Sequence, residues 1–200
     1  MKILITGAAG LIGKEVTKGL VAAGHDVLAT DLVMDDLSPA QKFVVGDLLS
    51  DDFISHLDFR CDAIVHLGSI PRPGIESDEK VLHNNVMGTY HVFANAVENN
   101  VPLVIYASSL SIYGFAWSTG TSPDYVPVDE KHLLYHFESY ALSKEVNERS
   151  ADMWANRSET AFVGLRIPHT HTNLVFTELA QKMRERDKAI LEQGAKIFWA

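Results

Sequence analysis

A single cysteine, Cys61, stands in this 200-residue chain, so no disulfide can close within it and a reducing compartment is expected. No apolar run approaches the roughly 18 residues needed to span a bilayer, and no cationic leader precedes the first apolar run; the expectation is a cytoplasmic protein with no membrane partner. Basic residues are also scarce. Lys and Arg number 17 against 26 Asp and Glu, the net charge is -9, and no Lys/Arg cluster offsets it, which argues against nucleic acid. No internal repeat is visible. What the chain does have is 46% hydrophobic and 22% charged residues, enough to bury the core of one domain.

The amino-terminus carries the first signal. An apolar run, Lys2 to Thr6, leads into Gly7-Ala8-Ala9-Gly10-Leu11-Ile12-Gly13 and then a helical pattern through Val16, Leu20 and Val21, closed by Gly24. In the order strand, glycine turn, helix, glycine spacing points to a dinucleotide phosphate site. The first glycines permit a tight turn and close approach to a pyrophosphate, Gly13 lets helix and strand pack, and the helix start adds partial positive charge. A second strand, 26–30, ends in Asp31, close to the ~20-residue spacing at which a carboxylate meets the ribose hydroxyls. Such a carboxylate repels a 2′-phosphate and favours NAD over NADP. The plain alternative is a turn residue opening a loop.

A second constellation lies further on. Tyr140 and Lys144 are four apart in a helical pattern and leave the same face. An ammonium beside a phenol favours the phenolate, each pKa unit requiring about 1.4 kcal/mol, and a phenolate can act as general base toward a hydroxyl. On the pair alone, an ordinary surface helix with a Tyr/Lys pair is the preferred reading.

Strands are expected near 2–6, 26–30, 42–46, 62–67, 102–107 and 160–166, and helices near 11–23, 50–57, 76–99, 139–156 and 173–188. Runs such as Ala63-Ile64-Val65 and Leu103-Val104-Ile105 read as parallel strands buried on both faces. The alternation implies an α/β fold, a doubly wound parallel sheet with right-handed crossovers. The stretch from Gly114 to His136 has no period and reads as a long loop over the catalytic face.

Six phrases in order make the chain resemble the extended short-chain dehydrogenases/reductases of the NAD-dependent epimerase/dehydratase family, from Lys2 to about Arg166. They are Gly7-x-x-Gly10-x-x-Gly13; Gly46-Asp47-Leu48; His66-Leu67-Gly68; Asn85-Val86-Met87-Gly88-Thr89; Ser109 four residues before Tyr113-Gly114; and Tyr140-x-x-x-Lys144. The resemblance implies a Rossmann-like NAD-binding domain over 1–168, with 169–200 beginning a truncated or abbreviated C-terminal substrate lobe. It implies Tyr140 as base, Lys144 lowering its pKa and holding the nicotinamide ribose, and Ser109 bonding the reacting oxygen. Its cofactor set here is Gly7, Ala9, Gly10, Leu11, Ile12, Gly13, Asp31, Leu32, Asp47, Leu48, His66, Leu67, Gly68, Asn85, Ala107, Ser108, Tyr140, Lys144 and Ile167. Ser69, Ser109, Ser111, Tyr113 and His169 fall on the substrate side, although Ser111 and Tyr113 read equally well as packing residues at a strand end.

Histidine is abundant, nine in all, and His169 with His171 or His132 with His136 have ligand-like spacing. No convergent cysteine or carboxylate motif accompanies them, so no metal is expected. The favoured activity is an NAD-dependent oxidoreductase or epimerase acting on a secondary alcohol or ketone of a sugar or nucleotide-sugar. A 4,6-dehydratase is disfavoured, because Leu110-Ser111 stands where those enzymes place an acidic pair. A catalytically silent NAD-binding sensor or interaction protein is the alternative. In relatives the helices matching 76–99 and 139–156 pair two copies, which implies a homodimer; the apolar positions Val81, Val92, Phe93, Ala96 and Val97 could be core or interface.

Overall fold

The computed structural model describes residues 1–50, 53, 57, 60–115, 122–170, 175, 177, 178, 180–185 and 188. Six strands form one parallel sheet: β1 (Lys2–Thr6), β2 (Asp26–Asp31), β3 (Lys42–Val45), β4 (Ala63–His66), β5 (Leu103–Ser109) and β6 (Ala161–Ile167). Their spatial order is β3-β2-β1-β4-β5-β6. The chain therefore works outward from β1 in one direction, returns beside it, and works outward in the other. Three long helices make the crossovers: α1 (Leu11–Ala22), α2 (Asp78–Glu98) and α3 (Ser139–Ala155).

Strand side chains alternate between the two faces, and both faces of the central strands are covered. Ile3 and Ile5 of β1 join Val27 and Ala29 of β2 beneath Val16, Leu20 and Val21 of α1. Leu4 of β1 points the other way and joins Leu28, Ile64, Val104, Tyr106, Phe93 and Trp154 beneath α2 and α3. Phe93 is fully buried and meets Tyr106 and Phe162 edge-on, with ring centroids 5.1 and 4.9 Å apart. Val81, Val92, Phe93 and Ala96 are thus core residues, and Val97 packs against the same core. Of the two readings, core applies: they hold α2 to the sheet.

Helix ends follow local chemistry. Ser77 caps α2, its hydroxyl accepting from the Lys80 amide at 3.3 Å, with Asp78 and Glu79 in the first turn. Glu138 caps α3, its carboxylate accepting from the Tyr140 and Ala141 amides. This cap fixes the helix start that carries Tyr140.

The strands and three of the expected helices fall where the periodicity puts them. The expected helix at 50–57 lies largely outside the described residues, as do 116–121 of the long loop, which include Trp117. Residues Met1–Pro168 and His169–Ala200 form two compact units. In the second, 175, 177, 178, 180–185 and 188 are helical, and Gln181 donates to Glu185 at 3.1 Å. Among the described residues no helix is long and apolar enough to cross a membrane.

Candidate active site

The strand order reverses between β1 and β4, and at such a switch point the carboxyl ends of neighbouring strands leave a crevice. Gly7 follows β1 and Gly68 follows β4. Gly7 has φ +69°, and a Cβ there would stand 2.5 Å from the Gly68 amide nitrogen. A Cβ on Gly13 would stand 2.1 Å from the Gly7 carbonyl oxygen. Any larger residue at either position would push the turn off the strand or lift the helix. Gly10 caps α1 with no side-chain hydrogen bond and no acidic residue in the first turn. The first-turn amides of Leu11, Ile12 and Gly13 are therefore available to an anion at a positive helix end. Asp31 closes over this turn: one carboxylate oxygen accepts from the Ala9 amide at 2.9 Å and the other from the Leu32 amide at 2.7 Å. Asp47 accepts from the Leu49 amide at 2.9 Å, and the Leu48 side chain lies against Gly68.

His66 is 4% exposed and bridges β1 to α2. Its Nδ1 lies 2.7 Å from Thr6 Oγ1 and its Nε2 lies 2.9 Å from Thr89 Oγ1. Thr89 already donates its proton to the Asn85 carbonyl at 2.7 Å, so Nε2 must carry the imidazole proton and Thr6 must donate to Nδ1. Burial, then the Lys144 charge, drive the His66 pKa down to about 3. Both ring nitrogens are committed, so His66 contributes to the crevice as a brace beneath it. Leu67 and Gly68 continue the wall through amides donated to Thr6.

Asn85 is fully buried and pins the segment after β4. Its Oδ1 accepts from the Ile70 amide at 2.8 Å, and its Nδ2 donates to the Ile70 carbonyl at 3.0 Å and to Ser143 Oγ at 3.3 Å. This holds Ser69 in place, and Ser69 Oγ accepts from Lys144 Nζ at 3.2 Å. Lys144 Nζ also donates to the Ala107 carbonyl at 2.9 Å and sits 5.4 Å from the centre of the Tyr140 ring. One buried amine thus touches the segment after β4 and the carboxyl end of β5, and faces the tyrosine. Burial lowers its pKa to about 8.

Ser109, at the end of β5, lies near the Tyr140 side chain. The phenol's acidity departs from expectation. Burial pushes its pKa up, Ser109 pulls it down and the Glu138 carboxylate pushes it up again, with a net rise. Lys144 is not among the groups that shift the phenol here, and desolvation of the phenolate sets the net direction.

Ser111 hydrogen-bonds Ser109, and Ser108 turns away from the crevice to donate to Glu148 at 2.5 Å. Tyr113 is 3% exposed; it receives a bond from Arg166 at 2.6 Å and donates to the Asp129 carbonyl at 3.0 Å. Its hydroxyl is engaged in these two bonds. Ile167 ends β6 opposite Ser109. His169 lies in the second unit, and His171 lies outside the described residues. His132 sits among the rings of Tyr113, Phe115 and Tyr125 and accepts from the Asp124 amide at 2.9 Å, while His136 pairs with Glu145 at 3.0 Å.

Sequence reasoning missed Glu148, Arg166 and Asn147. Glu148 stands four residues after Lys144 on the same helix, a spacing that could have marked it. Asn147 donates to Thr89 at 3.0 Å and to the Asn85 carbonyl at 3.2 Å, tying α3 to α2 behind the lysine.

A doubly wound sheet with a glycine turn, an uncapped helix start and a Ser-Tyr-Lys cluster on one edge defines a dinucleotide-dependent class. The profile of the NAD dependent epimerase/dehydratase family matches residues 3–191, and the chain belongs to that family. It is 30% identical over 172 residues to the uronate dehydrogenase of Pseudomonas syringae pv. tomato, covering 83% of this chain and 58% of that one. It is 28% identical over 167 residues to a UDP-glucose 4-epimerase of Lactobacillus helveticus, covering 80% and 48%. Among solved structures, a short-chain dehydrogenase/reductase superfamily protein from Agrobacterium tumefaciens with bound NAD matches with a TM-score of 0.76 at 27% identity, over 86% of this chain and 50% of that one. The protein MoeE5, in complex with UDP-glucose and NAD, matches with a TM-score of 0.68 at 27% identity, over 83% and 54%. The chain spans about half the length of the curated relatives it matches.

Proposed function

We propose that this chain carries the NAD site and the proton-transfer residues of an oxidoreductase or epimerase acting on a secondary alcohol or ketone of a sugar or nucleotide-sugar. One observation carries the reading: the buried Lys144 amine, held by Ser69 Oγ and the Ala107 carbonyl, faces Tyr140 at the edge where the uncapped start of α1 also opens. The residues fit the cofactor. The α1 amides suit its pyrophosphate, Asp31 suits its adenosine ribose, and Lys144 suits the hydroxyls of its nicotinamide ribose. When bound, NAD supplies the hydride acceptor.

The chain's own residues handle the proton. Tyr140 Oη, as phenolate, takes the proton of the substrate hydroxyl, and Ser109 donates a hydrogen bond to the same oxygen as charge develops there. Lys144 holds its ammonium close enough to stabilise the phenolate once the site is filled. Asp31 favours NAD over NADP by repelling a 2′-phosphate. A cytoplasmic setting fits the single cysteine, and a pairing of two copies through α2 and α3 would use their exposed Tyr90, Leu142 and Met153. Leu142→Glu should then shift gel-filtration elution toward a single copy; an unchanged volume rejects that interface.

The test is calorimetry with NAD and NADP, followed by UDP-glucose, UDP-glucuronic acid and free uronates monitored at the reduced-nicotinamide absorbance. Tighter NAD binding together with substrate-dependent absorbance or epimerised product supports the reading. A silent NAD-binding protein is the second reading, favoured by the raised pKa of Tyr140. NAD binding with no product from any sugar selects it.

A further inference from the structure

Ser69 stands in the segment after β4, and its hydroxyl oxygen accepts from Lys144 Nζ at 3.2 Å. Chemistry sets the direction of this bond. An ammonium has three N–H groups and no lone pair, so charged Lys144 can only donate. A second N–H goes to the Ala107 carbonyl of β5 at 2.9 Å. Two of the three tetrahedral directions at Nζ are thereby taken up, and they fix where the third points.

The hydroxyl is held as firmly as the amine. Asn85 of α2 grips the residue after Ser69 by both main-chain groups, accepting from the Ile70 amide at 2.8 Å and donating to the Ile70 carbonyl at 3.0 Å. The same Asn85 amide donates to Ser143 Oγ at 3.3 Å, and Ser143 donates to the Tyr140 carbonyl at 2.6 Å. Ser143 precedes Lys144 on α3. Ser69 and Lys144 are thus joined by a second route through Asn85, and their contact is built into the packing of the segment after β4 on α2 and α3.

Lys144 is 2% exposed, so its charge depends on acceptors that the protein supplies. A charge-assisted hydrogen bond is roughly twice as strong as a neutral one, and each acceptor therefore favours the ammonium over the free amine. We propose that Ser69 is a positioning residue for Lys144: its hydroxyl, with the Ala107 carbonyl, keeps the buried amine charged and leaves one N–H for the nicotinamide ribose that the proposed reaction sets beside Tyr140. This rests on the reading of Lys144 as the amine that serves ribose and phenolate. It gives Ser69 a task apart from the substrate contact expected from the sequence.

The titratable groups around the amine are Tyr140, on the same helix, and His66, on β4. His66 has both ring nitrogens bonded, to Thr6 and Thr89. Glu148, one turn further along α3, is engaged by Ser108 and Arg166. None of these bonds involves Ser69, so the serine can be varied while they stay in place.

The test follows the lysine itself and needs neither cofactor nor substrate. Lysine labelled with 13C at Cε gives a resonance for Lys144, assigned by its loss in Lys144→Met, and its shift with pH gives the midpoint of the amine. In the wild type that midpoint is expected at about 8, because burial lowers it from 10.5. Ser69→Ala should lower it by about half a pH unit or more, a threefold change in the ionisation constant, since the ammonium loses an acceptor. Ser69→Thr, which keeps the hydroxyl, should stay within about 0.2 pH unit of the wild type.

A Lys144 midpoint unmoved or raised by Ser69→Ala overturns the proposal, as does a Ser69→Thr midpoint as low as that of Ser69→Ala. If Ser69→Ala is not folded by circular dichroism, Ser69→Cys takes its place. A thiol accepts more weakly than a hydroxyl, so a smaller fall is expected and none overturns the proposal. Absence of turnover on every sugar would defeat the proposed function yet leave this midpoint readable, so the two failures are separable.

Discussion

Glu148 and Arg166 face each other through two parallel hydrogen bonds, Arg166 Nε to Oε1 at 3.0 Å and Nη2 to Oε2 at 2.7 Å, joining α3 to the end of β6. Ser108, the residue before Ser109, donates to the same carboxylate, and Arg166 Nη1 reaches Tyr113 and the Glu130 carbonyl. Burial works to raise the Glu148 pKa, but the bonds from Arg166 and Ser108 hold it below the usual carboxylate range. Each partner keeps about a fifth of its side chain exposed (19% and 19%), which screens the pair. Arg166→Ala is expected to lower unfolding free energy by about 2 kcal/mol, and Glu148→Gln by about half that, because the amide keeps one acceptor. Urea unfolding of the two variants checks the order.

Lys144 makes the stability of the cofactor-free protein depend on pH. Its pKa falls from 10.5 to about 8 on folding because burial disfavours the ammonium. Between those values the unfolded chain holds a proton that the folded one has released, so stability rises with pH across that window. Below about pH 8 both states are protonated and the full penalty applies. Lys144→Met should therefore abolish the rise, at most about 1.4 kcal/mol per pH unit, and make the cofactor-free protein more stable at neutral pH. Thermal melts of both proteins at several pH values are the measurement.

His66 acts on the acid side. Its folded pKa is about 3 against 6.5 unfolded, from burial first and the Lys144 charge second. As pH falls below 6.5 the unfolded chain takes up a proton that the folded His66 refuses, so stability falls toward pH 3. His66→Gln should flatten that acid limb, since a glutamine amide does not titrate. Its cost at neutral pH comes from imperfect bonds to Thr6 and Thr89, about 1–2 kcal/mol.

Asp31 has two tasks that a variant can separate. Its carboxylate ties down the Ala9 amide, and its charge is set against a 2′-phosphate. Asp31→Asn keeps an acceptor for Ala9 while removing the charge, so NADP affinity should rise about tenfold or more with little change in melting temperature. Asp31→Ala should lose the turn bond as well and melt earlier. Calorimetry and thermal melts distinguish the two.

How much of this was legible from residues alone depends on distance along the chain. Gly7, Gly10 and Gly13 announce their turn because strand, turn and helix are contiguous, and the apolar runs of β1, β4 and β5 declare burial on both faces. Tyr140 and Lys144 are legible because a helix puts residues four apart on one face. The brace formed by Thr6, His66, Thr89 and Asn147 was not, since it joins β1, β4, α2 and α3 through single polar side chains with no periodicity. That His66 also braces β1 to α2 through both ring nitrogens was therefore not legible. The acidity of Tyr140 failed for a related reason: spacing shows that an amine is near, but the desolvation opposing it depends on how tightly the surrounding elements close. The bonds of Tyr113 to Arg166 and of Ser111 to Ser109 likewise join separate residues without any periodicity that would mark them.

The most direct measurement mixes the NAD-loaded protein with UDP-glucose or UDP-glucuronic acid and follows the reduced-nicotinamide absorbance for wild type and Tyr140→Phe, with NAD affinity determined in parallel. Wild type is expected to give a substrate-dependent signal that disappears in Tyr140→Phe, while NAD affinity stays within about threefold, because only the proton-accepting oxygen is removed. A signal that survives the loss of that oxygen, or a protein that fails to bind NAD, contradicts the assignment.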